Sequence, residues 1–179
     1  MDTLERAARV RLLLMDVDGV LTDGRIFHVP GPDGQLFETK AFDSQDGIAL
    51  HWLYWKGIQT GLISGRDSAA TAERGRQGHF AYVYQGHLEK IPILEEIMAK
   101  AGIGRDEVAY IGDDMTDIVV MRRVGFAIAT ANARAEVKQR AHLVTQSPGG
   151  QGALREVAEL ILKAQGHWDD ILRKYEAEA

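Results

Sequence analysis

Short apolar runs alternate with amphipathic segments along almost the whole chain, and this alternation limits the possible folds more than any other feature. Six runs have the length and apolar content of buried strands: Val10–Met15, Ile58–Ser64, Ala81–Tyr84, Val108–Ile111, Phe126–Ala129 and His142–Val144. Six segments show helical periodicity: Gly47–Lys56, Asp67–Gly78, Lys90–Ala101, Thr116–Val124, Ala133–Arg140 and Gly152–Ala164. Strand followed by helix, repeated, predicts an α/β fold with a mainly parallel sheet and helices on both faces.

One segment, Gly24–Phe42, interrupts this alternation. It contains two extended runs around an Asp33-Gly34 pair, a combination that predicts a β-hairpin inserted after the first strand. Ligands of open α/β sheets bind outside the carboxyl ends of the strands, so the hairpin is expected to border the site. The length suits a single domain, residues 1–179, whose tail, residues 166–179, packs either on its own subunit or on a neighbour.

The composition argues against several classes of function. The chain has no cysteine, which excludes disulfides, thiolate catalysis and cysteine-based zinc sites. A formal net charge of -5 argues against nucleic acid as the main partner. No apolar run approaches the ~18 residues of a membrane span, and Met1–Arg11 lacks the apolar core of a signal peptide. The expectation is a cytoplasmic protein that binds a small molecule and neither nucleic acid nor membrane.

Two acidic clusters follow two of the predicted strands. Asp16 and Asp18 come after the first, and Asp113, Asp114 and Asp117 come after the fourth. Parallel strands bring such clusters to one edge of the sheet, and few carboxylates plus a substrate phosphate suit Mg²⁺. The simpler alternatives are an ordinary acidic pair at a strand end and helix capping by Asp113 or Asp114, with Asp117 favoured by the helix dipole. Capping and metal binding are compatible.

Two further polar signals lie at predicted strand ends. Ser64-Gly65-Arg66 follows the second strand, where a hydroxyl and backbone N–H groups at a helix start would form a phosphate-binding corner. Lys90 opens a predicted helix, a position that is electrostatically unfavourable for a cation and therefore suggests a function. The alternatives are a common Ser-Gly turn and a solvated surface lysine.

Together these segments resemble the four motifs of the haloacid dehalogenase superfamily of phosphotransferases. Asp16-Val17-Asp18-Gly19-Val20-Leu21-Thr22 is similar to the first motif, Ser64 to the second, Lys90 to the third, and Gly112-Asp113-Asp114 with Asp117 to the fourth. The resemblance is closer still to the capless 3-deoxy-D-manno-octulosonate 8-phosphate phosphatases. It is carried by Leu21-Thr22-Asp23-Gly24, Lys40-Ala41-Phe42, Asp46-Gly47, Tyr84-Gln85-Gly86, Val108–Asp114 and Gly149–Ala153, and it covers about residues 10 to 165.

The resemblance implies a Rossmann-like fold, with the hairpin in place of a cap domain, and a Mg²⁺-dependent phosphomonoester hydrolase. Asp16 would form an aspartyl-phosphate, and Asp18 would act as general acid and then general base. The Asp16 carboxylate, the Asp18 backbone carbonyl and Asp113 would hold Mg²⁺. Ser64 and Lys90 would hold phosphoryl oxygens. Asp114 and Asp117 would support the site, Asp117 through the metal or through Lys90.

The same resemblance implies a substrate and an assembly. The substrate would be 3-deoxy-D-manno-octulosonate 8-phosphate, a lipopolysaccharide precursor, and the hairpins of several subunits would meet in a homotetramer. The residues expected to contact the substrate are Asp18, Asp43, Ser44, Gln45, Asp46, Gly47, His51, Gly65, Arg66, Arg74 and Lys90.

Two of these positions depart from the family pattern. Gln45 and His51 stand where basic residues are usual, and neither glutamine nor neutral histidine reproduces the planar grip of arginine on a carboxylate. An alternative is therefore a phosphatase that acts on a sialic-acid-like nonulosonate 9-phosphate or on another small phosphate ester. Two alternatives of other classes are a receiver-type signalling domain, whose phosphoacceptor aspartate lies on a middle strand, and a catalytically silent homologue.

Overall fold

The computed structural model describes residues 1–178. The strands are β1 (Leu12–Met15), β2 (Phe27–Pro30), β3 (Leu36–Thr39), β4 (Gln59–Ile63), β5 (Tyr82–Tyr84), β6 (Val108–Gly112), β7 (Phe126–Ala129) and β8 (Leu143–Val144). The α-helices are α1 (Thr3–Ala8), α2 (Ser44–Trp55), α3 (Ala69–Gln77), α4 (Lys90–Ala101), α5 (Ile118–Met121), α6 (Ala135–Lys138), α7 (Ala153–Ala164) and α8 (Trp168–Lys174). Short 3₁₀ turns cover Arg105–Glu107 and Met115–Asp117.

The main sheet has six parallel strands in the order β5-β4-β1-β6-β7-β8. β1 lies between β4 and β6, with Met15 opposite Leu62 on one side and Ile111 on the other. The later strands therefore lie on both sides of β1: β4 and β5 on one side, and β6, β7 and β8 on the other. The carboxyl end of β1 is the point at which a ligand site is expected in this topology.

Alternate residues of the central strands point to opposite faces of the sheet, and each face has its own core. Leu13 and Met15 of β1 pack with α2 and α7, while Leu12 and Leu14 pack with α4 and α5. All four are fully buried, as expected for a parallel strand covered on both faces. This arrangement confirms the predicted Rossmann-like α/β fold.

The predicted hairpin is present as a separate two-stranded antiparallel sheet. β2 pairs with β3 from Phe27 opposite Thr39 to Pro30 opposite Leu36. Gly34 lies in the turn with φ +79°, a conformation that glycine adopts without strain. Every residue of β2 is exposed, so the hairpin projects from the core beside the carboxyl end of β1.

Several helices differ from the sequence prediction. α2 begins at Ser44, three residues before the predicted start, because the Asp43 carboxylate accepts hydrogen bonds from the N–H groups of Gln45 and Asp46. The predicted helix over Thr116–Val124 is reduced to the four residues of α5, after a 3₁₀ turn. α1, which begins with a capping box between Asp2 and Glu5, was not predicted from the sequence.

The tail folds back onto its own chain. It contains α8, and the Trp52 indole N–H donates a hydrogen bond to the Tyr175 hydroxyl at 3.1 Å. Lys56 Nζ lies 2.5 Å from Asp170 Oδ2, and the Trp52 and Trp168 rings meet edge to face. Of the two packing alternatives, the described residues adopt the intrachain one, and Ala179 lies outside the described residues. No helix between Met1 and Glu178 combines the length and apolar character needed to cross a membrane.

Candidate active site

The first group of predicted site residues meets at the carboxyl end of β1. Asp16 follows β1 directly, Ser64 follows β4 and Asp113 follows β6. Backbone hydrogen bonds extend the ladder into these positions, because Asp16 N–H donates to Ile111 O and Ser64 N–H donates to Tyr84 O. The three side chains are therefore placed by neighbouring parallel strands, as the sequence predicted.

Lys90, the first residue of α4, reaches into the same edge of the sheet. Its ammonium donates hydrogen bonds to Asp16 Oδ1 at 2.9 Å, to Asp117 Oδ1 at 2.8 Å and to the Tyr110 hydroxyl at 3.1 Å. Only 2% of Lys90 is exposed, so the surface-lysine alternative is wrong. Burial opposes the charged ammonium, but the carboxylates of Asp117 and Asp16 outweigh burial and raise the pKa of Lys90.

Asp117 is a buried scaffold for this site. One carboxylate oxygen accepts hydrogen bonds from Lys90 and from the Tyr110 hydroxyl, and the other accepts from the N–H groups of Asp113 and Asp114. These four bonds satisfy both oxygens and fix the backbone beside Asp113. Asp114 caps the following 3₁₀ turn by accepting from Met115 N–H, so the capping alternative holds for Asp114.

Asp16 and Asp113 form the part of the site suited to a cation. With Asp117 they place three carboxylate oxygens within 4.8 Å of one another. Burial, followed by the charge of Asp117, raises the pKa of Asp16 to about 6 and that of Asp113 to about 8. Asp113 Oδ1 is buried and has no hydrogen-bond partner among the described residues. Hard carboxylate oxygens that repel one another, one of them without a hydrogen-bond partner among the described residues, fit a divalent cation such as Mg²⁺.

Asp18 is held by residues of the hairpin and of the loop after β4. Lys40, just past β3, donates a hydrogen bond to Asp18 Oδ1, and Arg66 Nε lies 3.9 Å from Asp18 Oδ2. Glu38 of β3 pairs with both Lys40 and Arg66. Neither Lys40 nor Glu38 was predicted from the sequence to belong to the site. Two signals were available: the charged residues at the end of the predicted hairpin, which was expected to border the site, and the resemblance of Lys40-Ala41-Phe42 to the family.

A cavity of about 240 Å³ opens between these groups. Its walls include all five residues given catalytic or metal-binding roles from the sequence, and they are completed by small and polar residues and one exposed leucine. The lining consists of Asp16, Asp18, Ser64, Gly65, Arg66, Leu88, Lys90, Asp113, Asp114 and Thr116. Ser64 is buried, and its Oγ accepts a hydrogen bond from Arg66 N–H, which forms the predicted corner after β4.

The remaining substrate-contact candidates lie on or beside α2, outside this cavity. Asp43, Ser44 and Arg74 border a second cavity of about 410 Å³ that also touches Lys40. Arg74 donates a hydrogen bond to Asp43 O, and a β-carbon on Gly47 would lie 3.1 Å from the Arg74 guanidinium. Gln45 is exposed on the first turn of α2, and the His51 ring packs edge-on against that of His79.

Asp46 is fully buried and stabilises the start of α7. Its Oδ1 accepts a hydrogen bond from Arg155 N–H at 2.8 Å, so it acts as a cap supplied from another helix. Burial, with the nearby Asp43 charge, raises the pKa of Asp46 to about 6. The structure thus gives this residue a scaffold contact and does not bring it to the cavity at Asp16 and Lys90.

A second set of contacts that the sequence analysis missed fixes the loop after Asp18. The Gly19 carbonyl accepts hydrogen bonds from Asn132 Nδ2 at 3.1 Å and from Thr130 Oγ1 at 3.3 Å. Asn132 Oδ1 accepts from Gly149 N–H, and Gly150 N–H donates to Val20 O. The Gly149-Gly150 segment therefore holds the loop that carries Asp18 in place. In the sequence, this segment was singled out only by its resemblance to the family.

Known proteins share both the sequence and the fold of this chain. The sequence profile described as haloacid dehalogenase-like hydrolase matches residues 67–156. The 3-deoxy-D-manno-octulosonate 8-phosphate phosphatase KdsC of Yersinia pestis is 40% identical over 164 residues, which cover 92% of this chain and 86% of that protein.

A probable YrbI family phosphatase from Pseudomonas syringae superposes with a TM-score of 0.91 at 39% identity, over 98% of each chain. The 3-deoxy-D-manno-octulosonate 8-phosphate phosphatase of Moraxella catarrhalis was solved with magnesium, phosphate and KDO. It superposes with a TM-score of 0.90 at 38% identity, over 96% of this chain and 97% of that one. On this evidence, the chain belongs to the haloacid dehalogenase-like hydrolase family.

Proposed function

We propose that this chain is a phosphatase that hydrolyses 3-deoxy-D-manno-octulosonate 8-phosphate through an aspartyl-phosphate on Asp16. The observation that carries this proposal is the position of Lys90, buried at the cavity wall between Asp16 and Asp117. A fixed cation beside a carboxylate nucleophile provides a place for the oxygens of a phosphoryl group. The relatives from Yersinia pestis and Moraxella catarrhalis are named for this substrate.

In the first step, an oxygen of Asp16 attacks phosphorus while the bond from phosphorus to the sugar oxygen breaks. Asp18 gives its proton to the departing oxygen, which leaves as the sugar hydroxyl. Lys90 and Ser64, which both line the cavity, bind the phosphoryl oxygens throughout. Ser64 is set by the end of β4, and Lys90 is held at the cavity wall by Asp117, Tyr110 and Asp16. Because these bonds use all three N–H groups of Lys90, one of them is exchanged for a phosphoryl oxygen when the substrate binds.

In the second step, water attacks the same phosphorus and the bond to Asp16 breaks. The ionised Asp18 takes a proton from the water, so phosphate is released and Asp18 is protonated for the next turnover. One carboxyl group thus serves as acid and base in turn. The cavity is small and polar around Asp18, which suits a single bound phosphoryl group.

Mg²⁺ is the proposed cofactor, held by the Asp16 carboxylate, the Asp18 backbone carbonyl and Asp113. When bound, it offsets the repulsion between an anionic nucleophile and an anionic phosphate. The raised pKa values of Asp16 and Asp113 and the unpartnered Asp113 Oδ1 support this assignment. Asp117 would support the site indirectly, because its oxygens already bind Lys90, Tyr110 and two backbone N–H groups.

The sugar specificity depends on residues outside the cavity that would bind the phosphoryl group. Within the chain, Gln45, His51 and Arg74 lie outside the catalytic cavity, so the part of the substrate beyond the phosphate has few assigned contacts. The departures at Gln45 and His51 favour a second candidate, a phosphatase of nonulosonate 9-phosphates. Both candidates share the chemistry at Asp16, and only a substrate panel separates them.

The proposed assembly is a homotetramer in which hairpins of neighbouring subunits meet. Phe27, Val29, Leu36 and Phe37 of the hairpin are each 48% exposed or more, and Leu88 at the cavity mouth is 73% exposed. A two-stranded hairpin with this much apolar surface is marginal on its own, so packing against other copies would stabilise it. Light scattering after size exclusion checks the assembly, and a monomer would refute it. The cytoplasmic location of the enzyme stays a prediction.

The decisive experiment is Mg²⁺-dependent phosphate release from octulosonate 8-phosphate, nonulosonate 9-phosphates and 4-nitrophenyl phosphate, with Asp16→Asn as the control. Preference for the octulosonate supports the first candidate, and preference for a nonulosonate supports the second. Family membership argues against the receiver alternative, and rapid loss of phosphate from the phosphoenzyme would exclude it. An inactive wild-type protein would favour the silent homologue.

A further inference from the structure

Lys40 is a buried lysine at the end of an exposed hairpin. It lies one residue past β3, and 1% of its side chain is exposed, although both residues at the start of β3 are exposed. Burying an ammonium group costs free energy unless charged partners surround it. The position of Lys40 therefore depends on the groups that its Nζ contacts.

Those contacts form a ring of four alternating charges. Lys40 Nζ bonds to Asp18 Oδ1 and lies 3.0 Å from Glu38 Oε1. Arg66 pairs with the other oxygen of Glu38, and its Nε lies 3.9 Å from Asp18 Oδ2. The ring joins β3, the loop after β4 and the loop after β1. Of its four members, Asp18 and Arg66 line the cavity at Asp16, whereas Lys40 and Glu38 do not.

We propose that Lys40 is a positioning residue for Asp18, through which the hairpin sets the orientation of the acid–base carboxyl group. The inference rests on the proposed two-step chemistry at Asp16 and Asp18. The bond from Lys40 occupies Oδ1 and leaves Oδ2 as the oxygen that exchanges protons with the leaving group and with water.

This role predicts a defect that depends on the leaving group. An alkyl ester such as octulosonate 8-phosphate releases a strongly basic oxygen, which needs a proton from a well-placed Asp18 as its bond to phosphorus breaks. The 4-nitrophenolate ion is weakly basic and leaves without that proton. A lysine that merely stabilised the fold would instead affect both substrates equally.

The experiment measures kcat/KM for both esters in the wild type, Lys40→Met, Asp18→Asn and the double variant. General acid catalysis contributes about 10²–10⁴-fold, so Lys40→Met is expected to lose about 10²-fold on the alkyl ester and only a few-fold on 4-nitrophenyl phosphate. In the Asp18→Asn background, Lys40→Met should cause little further loss on either ester. Lys100→Met, which removes an exposed lysine paired with Glu96, is the control and should match the wild type.

The outcomes separate this inference from the proposed function. A wild type that hydrolyses neither ester overturns the proposed function. A wild type active on both, with Lys40→Met impaired equally on the two esters or additive with Asp18→Asn, overturns the role of Lys40 alone. If thermal unfolding shows that Lys40→Met does not fold, Lys40→Gln carries the same comparison. It keeps an N–H donor in the buried position, and it is expected to give a smaller preference in the same direction.

Discussion

The α-carbon of Gly19 faces the carboxylate of Asp113 so closely that a β-carbon on Gly19 would lie 2.1 Å from Asp113 Oδ2. Gly19 also has φ +92°, a conformation that side chains rarely adopt. Both the conformation of the loop that carries Asp18 and the position of the Asp113 carboxylate, which is proposed to hold Mg²⁺, therefore require glycine at position 19.

Gly19→Ala is expected to lose about 100-fold or more in kcat, because displacing catalytic groups by about 1 Å has effects of that size. Its affinity for Mg²⁺ should also fall, since Asp113 must move away from the added methyl group. Phosphate release and Mg²⁺ titration check both expectations. The matched control is Gly102→Ala, because Gly102 also has positive φ but a β-carbon there would meet no described atom within 4 Å. The control should lose about 1 kcal/mol of stability and keep its activity.

Lys90→Met should abolish activity and destabilise the protein by about 3 to 5 kcal/mol, because it leaves the buried Asp117 carboxylate without its cation. The double variant Lys90→Met with Asp117→Asn removes that unpaired charge, so it should regain part of the stability while remaining inactive. Urea unfolding and phosphate release measure the two properties separately. Recovery of activity in the double variant would contradict the proposed role of Lys90 at the phosphoryl group.

The fold and the meeting of Asp16, Ser64 and Asp113 at one edge of the sheet could be predicted from the sequence, because both depend on local patterns. Apolar runs of strand length mark β1, β4 and β6, and polar residues that directly follow parallel strands must meet at one edge of the sheet. This reasoning placed Asp16, Ser64 and Asp113 together, and the structure confirms their convergence. Lys90 was predicted to open the helix that the structure shows as α4. Its side chain reaches the same edge of the sheet and contacts Asp16.

Contacts between residues far apart in the sequence could not be predicted in the same way. From the sequence, Asp46 was expected to contact the substrate. Its carboxylate instead caps α7, which begins more than a hundred residues later in the chain. Asn132 joins Gly19 to Gly149, and no pattern in the sequence encodes that pairing. Lys40 follows an exposed strand, and its burial depends on how the hairpin folds against Asp18.

Gln45→Arg tests the selectivity assigned to the start of α2. An arginine there would add a planar cation that binds carboxylates, and we expect kcat/KM for octulosonate 8-phosphate to rise about tenfold relative to 4-nitrophenyl phosphate. Gln139→Arg adds the same charge at another exposed glutamine, in the C-cap position of α6, and should change neither value. If Gln45→Arg turned over every sugar acid phosphate as the wild type does, a selectivity role for Gln45 would be rejected.

Asp46 should make the free energy of unfolding depend on pH. Burial, followed by the charge of Asp43, raises its pKa in the folded protein to about 6, above the value of 3.8 for an unperturbed aspartate. As pH rises from about 4 to 6, the unfolded chain loses this proton before the folded protein does. The ionisation of Asp46 therefore lowers the free energy of unfolding across that range and has no further effect above it.

Asp46→Asn removes this ionisation and keeps an oxygen that accepts from Arg155 N–H. Between pH 5 and pH 7.5, the free energy of unfolding of the variant should therefore rise by about 1 kcal/mol relative to the wild type. Urea unfolding of both proteins at the two pH values gives this difference directly. Ser44→Ala, a neighbouring exposed residue that does not titrate, should differ from the wild type by the same amount at both pH values. A difference for Asp46→Asn that stayed constant, or that fell with pH, would show that Asp46 is already ionised in the folded protein at pH 5.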